Sequence, residues 1–418
     1  MSENSRPRRG LPEAELDSPN RNLTKETRRI GVGVADISPL QRQYVEDVLL
    51  KNRLSYGEYT RRFEREFAQL HNRRYAIFCN SGTSALQVAL HGMKELNGWD
   101  DGDEVLVPAI TFVATSNVVL QNRMKPVFVD VEADHFGIDP GQLARHLSPR
   151  TRAIVPVHMF GQPCDMEPIL SFARQHELRV LEDSCETMFV RHKGEPVGSW
   201  GDAACFSSYV AHLIVTGIGG FATANDEALA TIMKSLMNHG RDNIYLSIDD
   251  DDDLGDDAEL RRIVERRFSF VHVGYSYRAT EMEAALGVGE LARHREIIER
   301  RQANAAYLSG GLADLGEFLQ LPTQRKDTEH AFMMYPVVSR GAVNRDSLLL
   351  HLERAGIETR YLMPLINQPI YQRLFGDLER LYPVAKRLNH SGFFIGCHQR
   401  LSREDLDYVI EVFHGFFH

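Results

Sequence analysis

The 418-residue sequence is sparing with cysteine: its five, Cys79, Cys164, Cys185, Cys205 and Cys397, lie far apart and form no Cys-x-x-Cys pair. That spacing excludes a disulfide framework and the zinc and iron–sulfur motifs, and leaves these thiols as small buried hydrophobes. Long apolar runs are missing too. Nothing approaches the ~18 residues of a membrane span, and the N-terminal charges precede no apolar stretch, so a cytoplasmic protein free of the membrane is expected. A basic excess is also absent. The net charge of −10 leaves no broad face for a nucleic-acid backbone, although a small anion can still be held locally. Lysine is scarce, with eight in the chain: Lys25, Lys51, Lys94, Lys125, Lys193, Lys234, Lys326 and Lys386.

What is present is a globular composition, 43% hydrophobic and 25% charged, enough for one large core and a smaller second one. Residues 1–29 mix Arg, Pro, Asn and Glu without an apolar period and read as a disordered tail. Tyr59, Phe63, Phe67 and Leu70 then recur at helical spacing ahead of the strand Tyr75–Cys79. Apolar strands at Glu104–Val107, Pro126–Asp130, Ala153–Val157, Arg179–Glu182 and before Ser207 alternate with helices. Such near-continuous apolar strands imply a mostly parallel α/β sheet covered on both faces, with ligands at the carboxyl ends of its strands. Residues 30–288 are thus expected to form a large domain and 289–418 a smaller α+β domain. The acidic block at 248–257 reads as a solvated surface loop, because its spacing lacks the alternating ligands and closing Glu of a calcium loop.

Several segments suggest chemistry. Asn80-Ser81-Gly82-Thr83-Ser84 follows a strand and opens a helix, so the amides of Gly82 and Thr83 can face an anion, unless Ser81 is merely a helix cap. Asp183 ends a strand, where it is either a cap or a carboxylate at a ligand site. Phe112 lies in a strand-to-helix turn, a place more often occupied by core aromatics. Gly31-Val32-Gly33-Val34-Ala35-Asp36 fails as a dinucleotide fingerprint, lacking both a final Gly or Ala and a preceding strand. The run Phe206-Ser207-Ser208-Tyr209-Val210-Ala211-His212, closed by Gly217-Ile218-Gly219-Gly220, sets one titratable side chain among apolar neighbours.

The last of these resembles the Ser-x-x-x-x-Lys…Gly-x-Gly-Gly signature of the DegT/DnrJ/EryC1/StrS sugar aminotransferases, with His212 where that family has its lysine. Segments Ile110–Thr115, Pro156–Pro163, Asn238–Asp242, Gly274–Ala285 and Asn389–Leu406 are similar to family segments in the same order, so the likeness spans roughly residues 30–418. It implies an aspartate-aminotransferase-like fold (PLP fold type I) and a homodimer binding pyridoxal 5'-phosphate or pyridoxamine 5'-phosphate at its interface. Carried over, Gly82, Thr83 and Ser207 hold the phosphate, Phe112 stacks on the ring, Asp183 pairs with the ring nitrogen and Glu186 stands where relatives use Gln against the ring hydroxyl. Ser276 replaces the Asn that the family lends to the neighbouring subunit's phosphate, and a hydroxyl can also donate there.

The family lysine both anchors the cofactor aldehyde and moves a proton, and an imidazole with pKa near ~6.5 can do only the second. The resemblance therefore points to the branch carrying this replacement, the nucleotide-sugar 3-dehydratases acting on 4-keto-6-deoxy sugars. Lacking a cysteine cluster, the chain resembles the subset that regenerates the amine form with glutamate rather than an iron–sulfur centre. Three alternatives stay open: amination with C3 intact, a non-catalytic protein binding a nucleotide sugar or a protein, and a histidine introduced by design.

Overall fold

The computed structural model describes residues 28–242 and 268–417, with 257, 258, 261 and 264 between them; most of the expected N-terminal tail and of the acidic loop at 248–257 lies outside the described residues. Helices α1 (Pro39–Lys51) and α2 (Glu58–Leu70) lead into strand β1 (Tyr75–Cys79). Ser38 and Gln41 form a capping box that closes the first turn of α1, satisfying amide donors the helix itself cannot. The apolar stripe of α2 sits over the sheet edge, where Phe63 meets Phe78 and Phe221 edge-on and Phe67 stacks on Phe221 at 3.9 Å. After β1 come α3 (Gly82–Asn97), β2 (Glu104–Pro108), α4 (Val113–Gln121), β3 (Lys125–Val129), β4 (Thr151–Ile154), α5 (Met166–Gln175) and β5 (Arg179–Asp183). A short hairpin of β6 (Arg191–His192) and β7 (Glu195–Pro196) precedes β8 (Ala203–Ser207), β9 (Gly220–Ala224) and α6 (Glu227–Met237).

Seven of these strands form the main sheet in the order β1-β9-β8-β5-β4-β2-β3. Its neighbours from β8 to β3 run parallel, and β9 is antiparallel to both β8 and β1. Strands β2, β8 and β9 are buried along their whole length, which is why they read as continuous apolar runs rather than alternating ones. Helices Glu281–Leu291 and His294–Gly311 lead to a second sheet of four antiparallel strands, β10 (Leu319–Gln320), β11 (Met334–Ser339), β13 (Gly392–Gly396) and β12 (Thr359–Tyr361), in that order. Ile30, set by the sequence at the start of the large domain, bridges to Ile357 and shares a core with Tyr335, Leu352 and Phe413, so the first described residues pack with the smaller sheet.

Candidate active site

The carboxyl ends of β1, β5 and β8 meet one cavity of about 870 Å³, roofed by the loop after β8 and by the edge of the smaller sheet. Gly82, Thr83, Phe112, Asp183, Glu186, Ser207 and His212 all line it. Ser276 does not: it is exposed, bridges to Asn238 and accepts a hydrogen bond from Arg278 at 3.3 Å.

At the start of α3, Ser81 caps the helix by accepting from the Ser84 amide at 3.0 Å, and Ser84 in turn donates to Asn80 at 2.7 Å. The cap and the anion site are therefore compatible, because the Gly82 and Thr83 amides are not consumed by it. Gly82 has no room for a side chain: a Cβ there would lie 2.7 Å from Ser207 Cβ and 2.9 Å from Cys185 Sγ. Gly220 is as tightly held, with a Cβ position 2.5 Å from the Gly82 nitrogen. The two glycines let β9, β8 and the helix start converge. Gly82→Ala is expected to lower stability by about 1–3 kcal/mol by overpacking and to weaken phosphate binding, read from thermal melting and a cofactor titration.

Asp183 is buried at the end of β5. Its Oδ2 accepts from Thr115 Oγ1 at 2.7 Å, and Oδ1 from the Cys185 amide at 3.2 Å. Burial pushes its pKa up, and the Thr115 and Cys185 hydrogen bonds oppose that by stabilising the carboxylate. Thr115 was not singled out in the sequence; a trace of it lies in the i,i+4 pair Thr111 and Thr115, whose hydroxyls meet at 2.8 Å. Phe112 is 57% exposed and so is not a core residue; its ring stands at the cavity with room for a flat partner.

Glu186 accepts from the Phe160 amide at 2.8 Å and is raised by burial to about 7. Between the ordinary carboxylate pKa and 7, the folded chain holds a proton there that the unfolded chain has lost, so this group's contribution to stability falls as pH rises through that window. Glu186→Gln keeps the acceptor without the ionisation. It is expected to be more stable than wild type by about 1–3 kcal/mol at pH 8 and equal to it at pH 5, measured by thermal unfolding.

His212 sits in the loop between β8 and β9, its amide donating to the Tyr209 carbonyl at 2.8 Å and its ring edge-on to Tyr209 at 6.0 Å. Its Nδ1 is buried and has no hydrogen-bond partner among the described residues. The ordinary pKa expected for this imidazole is corrected by the fold: burial first, and the Arg301 charge second, push it down to about 4. It is therefore held neutral at ordinary pH. No lysine is found among the cavity-lining residues, whose charged members besides His212 are Asp183, Glu186, Glu358 and Arg360. Glu358, Arg360 and Tyr361, brought from the edge of the smaller sheet, and Val32 and Gly33, from the segment rejected as a dinucleotide fingerprint, escaped the sequence reading because nothing local marks them as neighbours of β8.

These groups can hold a small phosphorylated ring compound, oppose a cationic ring nitrogen and move a proton. A model of the DegT/DnrJ/EryC1/StrS aminotransferase family matches residues 35–414. GDP-perosamine synthase of Caulobacter vibrioides is 34% identical over 386 residues, covering 91% of this chain and 96% of its own length. The dTDP-4-dehydro-2,6-dideoxy-D-glucose 3-dehydratase of Saccharopolyspora spinosa is 30% identical over 382 residues, covering 87% and 81%. Among solved structures, the E. coli GDP-4-keto-6-deoxy-D-mannose-3-dehydratase with bound hydrated PLP superposes with a TM-score of 0.83 at 25% identity, covering 92% of this chain and 99% of that one. The mostly parallel sheet with its smaller companion is accordingly the PLP fold type I architecture. With most of its length matched by the family model, the chain belongs to the DegT/DnrJ/EryC1/StrS aminotransferase family.

Proposed function

We propose that the chain uses pyridoxal 5'-phosphate or pyridoxamine 5'-phosphate to remove the C3 hydroxyl of a nucleotide-linked 4-keto-6-deoxy sugar, with glutamate as amine donor and His212 as the proton-transfer base. The observation that carries this reading is a partly buried imidazole, its Nδ1 without a partner among the described residues, in a cavity whose lining has no lysine. The residues present fit the cofactor: the side-chain-free cradle at Gly82 suits a phosphate, and Asp183 suits a protonated ring nitrogen. When bound, the cofactor supplies a conjugated cationic ring that accepts electrons from a neighbouring carbon.

The Gly82 and Thr83 amides with Ser207 anchor the phosphate end. Asp183, held by Thr115 from one side, opposes the charge on the ring nitrogen. Phe112 and Glu186, both at the cavity, would cover a ring face and meet a ring hydroxyl of the bound cofactor. His212 would move the proton without forming a covalent link to the cofactor. Arg360, the cation among the lining residues, is ion-paired with Glu358 and would have to share its charge with an anionic substrate or glutamate.

A second reading, amination with C3 intact, is favoured by the 34% identity to GDP-perosamine synthase. Incubation with glutamate, cofactor and a panel of 4-keto sugar nucleotides separates the two by product mass: dehydration removes the C3 oxygen, amination adds nitrogen. Unchanged sugars, with no change in the cofactor spectrum on adding glutamate, point to a non-catalytic binder instead. A homodimer is part of the same proposal. It is supported by the exposed apolar stretch Phe268, Phe270, Val271 and Val273, which runs up to Ser276, and is checked by light scattering.

A further inference from the structure

Arg301, on the helix His294–Gly311, is 1% exposed and among the largest fully buried side chains of the molecule. Its hydrogen-bond partners among the described residues are backbone carbonyls: Met333 at 2.8 Å, Phe332 at 3.3 Å and His212 at 3.4 Å; its Nε has none. The carboxylate acting on it from a distance is Glu290, which accepts from the Val215 amide at 3.3 Å and is raised by burial to about 7, so it is only partly ionised near neutrality. A buried guanidinium without a full counter-charge is unfavourable, and an apolar side chain of similar volume would fill the same space more cheaply. Its placement calls for a role. The carbonyls it gathers belong to two walls of the cavity, the His212 loop and the segment entering β11.

We propose that Arg301 is a positioning residue for His212: its guanidinium clamps the base-bearing loop to the Phe332–Met333 wall and sets a permanent positive charge behind the imidazole. The fork geometry of arginine allows one side chain to reach both carbonyl sets at once, which an ammonium cannot reproduce. The charge disfavours a second cation on the ring, in the same direction as burial. Other titratable groups lining the same cavity are Tyr209, whose ring meets that of His212, then Asp183, Cys185 and Glu186, and Glu358, Arg360 and Tyr361 at the smaller sheet's edge.

The proposal rests on His212 being the base, and the experiment keeps the two apart. The His212 titration midpoint is read by NMR on histidine-labelled full-length protein, its signal assigned by its loss in His212→Asn. In wild type the midpoint is expected near 4. In Arg301→Met it should rise by about a unit, consistent with removal of a nearby charge in a poorly hydrated site. In Arg301→Lys, which keeps the charge but loses the fork, the midpoint should stay near wild type while kcat falls about tenfold or more at nearly unchanged KM. A midpoint indifferent to Arg301→Met, with only the melting temperature lowered, overturns the electrostatic half; an unchanged kcat in Arg301→Lys overturns the clamp. Should Arg301→Met not fold, the lysine variant still decides, since a midpoint that moves although the charge is kept contradicts the proposal. If His212→Asn retains full activity, the base assignment falls, yet the NMR midpoints still report whether Arg301 governs the imidazole.

Discussion

His212→Asn is expected to convert sugar substrate about 10²–10⁴-fold more slowly than wild type while binding the cofactor within a few-fold of wild-type affinity. On the proposed reading the imidazole moves a proton and anchors nothing, so removing it should leave the close-packed helix start at Gly82 and the Asp183 carboxylate untouched. Asparagine keeps a polar group of similar reach but cannot accept a proton at neutral pH. The companion substitution His212→Lys sharpens the test. It restores a primary amine at the position where the family has one, so borohydride treatment of the loaded variant should leave the cofactor mass on the polypeptide, whereas wild type should lose it on denaturation. Permanent attachment in wild type would refute the assignment. Burial and the Arg301 charge together push the imidazole down to about 4, so it is neutral at working pH.

Asp183→Asn is the second large effect. If Asp183 is the charged partner of a protonated ring nitrogen, as proposed, a neutral amide there removes a charge-assisted hydrogen bond of about 1.5–3 kcal/mol, and cofactor affinity should fall about 10- to 150-fold. Turnover should fall further, because a ring left unprotonated is a weaker electron acceptor. Thr115→Val serves as the control: it keeps the carboxylate but removes the hydrogen bond to Oδ2, and should give a smaller loss with the same sign. Equal losses in the two variants would mean that Thr115 acts on the fold rather than through Asp183. Both are measured by fluorescence titration with the cofactor, alongside thermal melting to separate unfolding from weakened binding.

Much of the fold was legible because its signals are local. The α2 stripe of Tyr59, Phe63 and Phe67 is buried as its spacing required, and the continuous apolar strands formed the parallel part of the main sheet. Phe112 shows where local reasoning is ambiguous. A turn aromatic is more often core, yet here it is exposed at the cavity, since the strand-to-helix turn points into the crevice rather than the sheet. Ile30 shows a second limit: its pairing with Ile357 joins positions more than three hundred residues apart, and no local pattern announces it.

By itself the sequence determined the alternation of strands and helices, the glycines that permit close approach at the start of α3, and a histidine at the position where the family has its lysine. These depend on residue type and near-neighbour spacing, which the chain carries in its covalent order. The tertiary structure alone decided that the imidazole is neutral, that Thr115 braces Asp183, that Arg301 reaches the carbonyls of His212 and Met333, and that Arg360 faces the same cavity. Each of those is set by burial or by a contact between distant segments, and the field and solvation at a side chain depend on everything packed around it, whatever its distance along the chain.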